Sequence, residues 1–184
     1  MKTTFFTPVV AVIFTVASLA VAKAETKTLH YPTQDATMFS IDAPADWKVT
    51  EIEEVGGYGS LESENGSILQ FRAVECESEK EARKEVDSIT GSTPDFLQEN
   101  YTDIQLQDAE RITIEGRQGA QLAGSGKDKE GNNVEFLSAF VLLTPTTVAE
   151  IWAVIYPEGG GDNDLAIAKT VLDSFKPTGS SGGE

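Results

Sequence analysis

Between Val134 and Tyr156 the chain is apolar on alternate residues in both phases, and no other stretch constrains the fold as much. Val134, Phe136, Phe140 and Leu142 fall on one face of an extended strand, and Leu137, Ala139, Val141 and Leu143 on the other. After Thr144-Pro145-Thr146 the pattern repeats. Val148, Trp152, Val154 and Tyr156 face one way, and Ala149, Ile151, Ala153 and Ile155 the other. A strand apolar on both faces needs cover on both. The segment predicts an antiparallel hairpin at the centre of a sheet, with a layer on each side.

Shorter strands precede it. Thr28–Tyr31 suits a short edge strand, and Phe39, Ile41 and Ala43 alternate with polar residues, the period of a half-buried strand. Pro44-Ala45-Asp46 turns the chain into Trp47, which leads a strand through Val49 to Ile52. Tyr58–Glu62 and Ile68–Val74 flank Asn65-Gly66, a hairpin turn signal. Arg111–Glu115 places Ile112 and Ile114 inward, and Gly116–Gly119 turns into a strand over Ala120–Gly124. The polar, glycine-bearing Gly124–Asn133 reads as an exposed loop or extended hairpin tip.

Three segments have helical spacing. Ser78 and Glu81 form a capping-box pattern, with Ala82, Val86 and Ile89 on one stripe and Gly91 as the stop. Thr93 caps a short second helix, with Pro94 in its first position and Phe96, Leu97 and Tyr101 as its apolar contacts. Asp162 or Asn163 caps a third, in which Leu165, Ala168, Leu172 and Phe175 repeat until Pro177. The expected class is α+β, a three-layer α/β/α sandwich around a mostly antiparallel sheet. An all-β sandwich with decorating helices is the competing architecture.

The order of these parts resembles the PsbP/Mog-like superfamily, specifically its exported bacterial PsbP-like proteins of uncharacterised function. Three phrases carry the resemblance: Phe39-Ser40-Ile41-Asp42-Ala43-Pro44-Ala45-Asp46-Trp47 near the start, the Val134–Tyr156 hairpin, and Val171-Leu172-Asp173-Ser174-Phe175-Lys176-Pro177 at the end. The resemblance implies the same three-layer sandwich and a binding or assembly role. It supplies no functional residue, because the partner-specific parts of those proteins have no matching motif here.

Residues 1–24 read as a secretory signal peptide. Lys2 gives a positive start, Phe5–Val21 is mostly apolar, and Val21-Ala22-Lys23-Ala24 puts small residues before a cut between Ala24 and Glu25. The apolar run is short for a spanning helix, which needs about 20 apolar residues. The expected location is therefore periplasmic or secreted in a bacterium, with no membrane attachment after cleavage. A single globular domain is expected over 25–177, followed by a disordered Gly/Ser tail over 178–184.

The full chain has a net charge of −16, and loss of Lys2 and Lys23 makes the mature chain more negative by two. Such a surface repels phosphate backbones and anionic headgroups, which argues against nucleic-acid and peripheral membrane binding. A protein partner in the envelope, or a small ligand, is the expected kind of partner. Cys76 is the single cysteine, so no intramolecular disulfide can form. It follows an apolar run and reads as a partly buried thiol, its pKa raised by Glu75, Glu77 and Glu79.

The inventory for chemistry is thin. His30, the only histidine, lies in a polar lead-in and suits an edge strand better than a catalytic shell. One His and one Cys do not make a zinc site. Gly159–Asp164 lacks the alternating ligands and distal Glu of a calcium loop, and Gly56-Gly57-Tyr58-Gly59 lacks the context of a phosphate loop. No catalytic, metal or cofactor residue is assigned, and no cofactor is expected. Glu51–Glu54 and Glu75–Glu81 read as solvated acidic faces. Asn65-Gly66-Ser67 and Asn100-Tyr101-Thr102 match a glycosylation pattern relevant only to a eukaryotic secretory route. Two functions are consistent with this: a non-catalytic exported binding or accessory module, or a small hydrolase built on a carboxylate pair, which requires a cleft and a raised carboxyl pKa.

Overall fold

The structure, a computed structural model, describes residues 25–50, 55–89, 95–157 and 162–178. Its elements run β1 (Thr26–Tyr31), β2 (Phe39–Pro44), β3 (Lys48–Thr50), β4 (Gly59–Glu62), β5 (Ile68–Glu75), α1 (Glu79–Ser88), α2 (Asp95–Asn100), β6 (Thr102–Leu106), β7 (Glu110–Ile114), β8 (Arg117–Lys127), β9 (Asn133–Thr144), β10 (Thr147–Ile155), α3 (Asp162–Asp173) and β11 (Lys176–Pro177).

β9 and β10 are the antiparallel hairpin at the heart of the sheet. Val141 stands opposite Ala149 and Phe140 opposite Glu150, with a register shift between Thr147 and Val148. The main sheet has the order β3-β4-β5-β10-β9-β8-β6, and β7 also pairs with β8. Every pairing is antiparallel.

The two faces of the hairpin enter separate apolar clusters. Odd-numbered Val141, Leu143, Ala149, Ile151, Ala153 and Ile155 join Leu61, Leu69, Phe71 and Ala73 from β4 and β5. Even-numbered Phe140 and Val148 join Ala82, Val86 and Ile89 of the α1 region and Ala120 and Leu122 of β8. Val134 and Phe136 pack with Leu97 of α2. Burying a large aliphatic or aromatic side chain stabilises by about 1.5–3 kcal/mol, so each face depends on its cover.

That cover differs from a plain helix layer. β1, β2 and β11 form a separate three-stranded sheet, which shares the odd-numbered face with α3. The structure shows the expected α+β fold around a mostly antiparallel sheet, and it is sheet-dominated: a small sheet and one helix together meet the odd-numbered face. Geometry gives the reason. Seven strands side by side span about 29 Å, whereas a single helix is only about 10–12 Å across. β2 fills the remainder with Phe39, Ile41 and Ala43, all within 1% of full burial. Tyr31 stacks on Phe39 with centroids 4.8 Å apart, and Phe175 reaches Phe39 at 5.1 Å.

Local signals set the element ends. Ser78 caps α1 by accepting from the Glu81 N–H, while the Glu81 carboxylate accepts from the Glu77 N–H at 3.0 Å. α3 ends at Asp173, so Lys176-Pro177 does not finish a helix but pairs with Ser40 and Phe39. Of the two readings of Gly124–Asn133, the extended hairpin tip is the one the structure shows. β8 continues through Gly124 and Gly126 to Lys127, and the turn covers only the residues before Asn133. A Cβ at Gly124 would lie 2.8 Å from the Gln105 carbonyl, so a bare backbone there lets β6 pair with the far half of β8. The expected Gly91 stop, the Thr93 cap with Pro94, and Ile52 lie outside the described residues.

Candidate functional site

β10 carries one charge among apolar neighbours, Glu150, on the face shared with Phe140 and Trp152. It is 2% exposed. The antiparallel register sets Arg72 of β5 directly opposite it. Arg72 Nε donates to Glu150 Oε2 at 2.7 Å and Nη2 approaches the same oxygen at 2.6 Å. Oε1 is buried with no donor, as is the Oγ of Ser138, which stands opposite Trp152. On α1, Glu85 is half-buried, and its charge acts on the same carboxyl. Burial pushes the Glu150 pKa up; Arg72 opposes that rise, and Glu85 adds to it.

Outward from this cluster the sheet is uncovered among the described residues. α1 rests on β8, β9 and β10, and α2 on β6. On β5 the residues sharing a face with Arg72 are Ile68, Gln70 and Val74, and Ile68 is 38% exposed. Arg72 lies under the Tyr58 ring, 4.5 Å from its centroid. Tyr58 is 47% exposed, and Val55 beside it in the chain is 43% exposed. These are the large apolar side chains that the described residues present to solvent. Burial raises the Tyr58 pKa, with Arg72 opposing and Glu150 contributing.

Cys76 follows β5 and is half-buried. Its pKa is raised by burial first, then by Glu85, Glu81 and Glu150. The carboxylates responsible come from α1 and β10, not from Glu75, Glu77 and Glu79 as the local sequence suggested. A shallow cavity of about 300 Å³ lies against this thiol, lined by Glu81, Lys84, Glu85 and Ser88.

The residues singled out in the sequence are dispersed. Glu25 is exposed, its carbonyl accepting from the Ala45 N–H at 2.8 Å, while Ala24 lies outside the described residues. His30 is exposed on β1, its Nδ1 3.3 Å from Thr37 Oγ1. Tyr31 pins the glycine loop: its hydroxyl donates to the Gly57 carbonyl at 3.0 Å and accepts from the Gly56 N–H at 2.9 Å. Asp164 is buried in α3 and bonded to Ser63. No group of three metal-ligating side chains occurs among the described residues. Glu51–Glu54 lie outside them. Glu150, Arg72, Glu85 and Tyr58 carried no expectation. The available signal was the pair of polar gaps, Ser138 and Glu150, in two otherwise apolar series.

No protein-family model matches the sequence, and no curated protein does. Solved structures do. Cyanobacterial PsbP (CyanoP) from Synechocystis sp. PCC 6803 is similar at 13% identity with a TM-score of 0.52, covering 86% of this chain and 96% of that one. LpqN, involved in cell envelope biogenesis of Mycobacterium tuberculosis, is similar at 16% identity and a TM-score of 0.52, covering 84% of this chain and 91% of that one. Both share the domain over nearly its whole length, and the fold of this chain is PsbP-like.

Proposed function

We propose that the chain is a non-catalytic binding or accessory module that works outside the cytoplasm, after cleavage behind Ala24, and recognises a protein partner in the cell envelope. One observation carries the reading: Tyr58, Ile68 and the Tyr58-stacked Arg72 lie together on a strip of sheet that no helix covers among the described residues. Aromatic and arginine side chains on a rigid sheet are the usual anchors of protein interfaces. The role in envelope biogenesis stated for LpqN lends support from outside this chain. No helix among the described residues is long and apolar enough to cross a membrane.

The carboxylate-pair hydrolase is the weaker reading. The carboxyl that joins burial in raising the Glu150 pKa is Glu85 of α1, which makes these two the candidate pair. Glycosidase carboxyls stand about 5–9.5 Å apart, so that a sugar or a water fits between them. Glu150, however, is buried and committed to Arg72.

The test is retention of envelope proteins by the tagged chain in its own host, compared with a Tyr58→Ala/Ile68→Ser double variant. The expected result is a specific envelope protein held by the wild type and reduced at least about tenfold by the variant. Equal retention by both, or no specific protein with either, overturns the reading.

A further inference from the structure

The β4–β5 turn is the one place where the sequence sets a glycine directly after an asparagine, Asn65-Gly66. Asn100, Asn132, Asn133 and Asn163 precede Tyr, Asn, Val and Asp. The backbone nitrogen of the residue after an asparagine can attack the side-chain amide carbon and close a five-membered ring, and a side chain on that residue obstructs the approach. Gly66 has none. It holds a φ of +83°, and a Cβ built on it would meet nothing within 4 Å. Asn65 is exposed. One bond restrains the nucleophile: the Gly66 N–H donates to the Ser63 carbonyl at 3.1 Å. A bond of this kind in an exposed turn opens locally, without unfolding of the whole domain.

The surroundings make the reaction consequential. Asn65 Nδ2 donates to Asp164 Oδ2 at 3.5 Å, the oxygen that also accepts from Ser63 Oγ at 2.7 Å. Asp164 is buried in the first turn of α3. Ser67, on the far side of Gly66, is buried as well. Its Oγ accepts from the Tyr156 N–H at 3.1 Å, just past β10, and its carbonyl accepts from the Ser63 N–H at 2.9 Å. One short turn thus ties together β4, β5, the end of β10 and the start of α3.

We propose that Asn65 is a site of spontaneous covalent modification, and that its deamidation unseats the start of α3. The Gly66 nitrogen gives up its proton and bonds to Asn65 Cγ, the Cγ–Nδ2 bond breaks, and Nδ2 leaves as ammonia. Water then opens the ring. Opening at the side-chain carbonyl yields aspartate, and opening at the backbone carbonyl yields isoaspartate. Either product puts a carboxylate where a donor stood. The contact with Asp164 Oδ2 becomes one of like charges, with one partner buried, where repulsion is strong. Isoaspartate also lengthens the backbone by one carbon inside a turn closed by the Ser63–Ser67 and Gly66–Ser63 bonds. The ammonia is lost, so the change runs one way and accumulates with the age of the molecule.

Ageing the chain in mildly alkaline buffer, beside a synthetic peptide of residues 61–70, tests this by peptide mapping and mass spectrometry. The expected result is conversion of Asn65 to aspartate and isoaspartate in the folded chain, and unfolding of the converted fraction at lower urea than the fresh chain. Asn65→Asp is expected to lower the folding equilibrium constant at least about tenfold. Asn65→Ser loses the amide without gaining a charge, and its effect is expected to be clearly smaller. An intact Asn65 in the folded chain once the peptide has fully converted overturns the proposal. So does a wild-type urea midpoint in Asn65→Asp, or an Asn65→Ser as destabilised as Asn65→Asp. The ageing measurement needs no variant to fold, and both substitutions fall at an exposed position.

Discussion

Ser63 Oγ donates to Asp164 Oδ2 at 2.7 Å, joining the β4–β5 turn to the first turn of α3. The same hydroxyl accepts from the N–H groups of Asn65 and Ser67 at 3.2 and 3.1 Å. Both side chains are buried, Ser63 to 7% and Asp164 to 4% exposure. One oxygen therefore shapes the hairpin and seats the helix.

Ser63→Ala removes that oxygen and leaves the buried Asp164 Oδ2 with only the longer 3.5 Å bond from Asn65 Nδ2 among the bonds described. The expected cost is about 2–3 kcal/mol, a fall in Tm of roughly 4–12 °C. Thermal unfolding followed by circular dichroism checks it. A shift under about 2 °C would show that the hydroxyl is not the hub described.

Arg72→Leu leaves Glu150 in place without its cation. The cost is expected to be about 3 kcal/mol near neutral pH, where the buried group must either carry charge or take up a proton. In mild acid the proton is readily available, so the loss shrinks. Urea unfolding at both pH values measures the difference, and an equal cost at both would refute the argument.

Gly119→Ala is expected to destabilise by roughly 1–3 kcal/mol. A Cβ there would lie 2.5 Å from the Phe140 carbonyl oxygen, a backbone atom of the β9 ladder that cannot move alone. Hydrogen exchange should show the loss in β8 and β9 first. Wild-type stability in this variant would contradict the close approach.

Cys76 should react slowly with iodoacetamide at neutral pH, because burial and the carboxylates around it suppress the thiolate. Glu85→Gln removes one of those charges and is expected to raise the labelling rate at least about twofold. Unchanged or slower labelling would mean that Glu85 does not act on the thiol.

Tyr58→Ala removes an exposed ring and its stacking on Arg72. Its stability cost should stay below about 1 kcal/mol, measured by urea unfolding. A larger loss would mark Tyr58 as a structural support of the Arg72–Glu150 pair and weaken its reading as a surface anchor.

The hairpin was legible because its two apolar series are long and in phase, so each side chain's face follows from parity alone. The Ser78 cap and the Ala82, Val86 and Ile89 stripe were legible for the same local reason. Whether β1 and β2 joined the main sheet was not legible. Phe39, Ile41 and Ala43 need one covered face, and an edge of the main sheet or a separate small sheet satisfies that need equally. The extent of β8 was missed because Gly124 and Gly126 read locally as breakers, while their use as close-approach points depends on β6 and Phe136. The candidate site was invisible for a related reason. Arg72 and Glu150 are 78 residues apart, and only the β5–β10 register brings them together.

The small sheet draws both ends of the described chain onto one strand. β2 is paired on one side by β1 and on the other by β11, and Phe39 meets Tyr31 and Phe175 at once. A polypeptide threading out of a ribosome or through a pore therefore cannot shut this aromatic box until the segment carrying Phe175 has emerged. Until Phe175 arrives, Phe39 lacks one wall, so the long-range contact between β2 and the α3–β11 segment closes late.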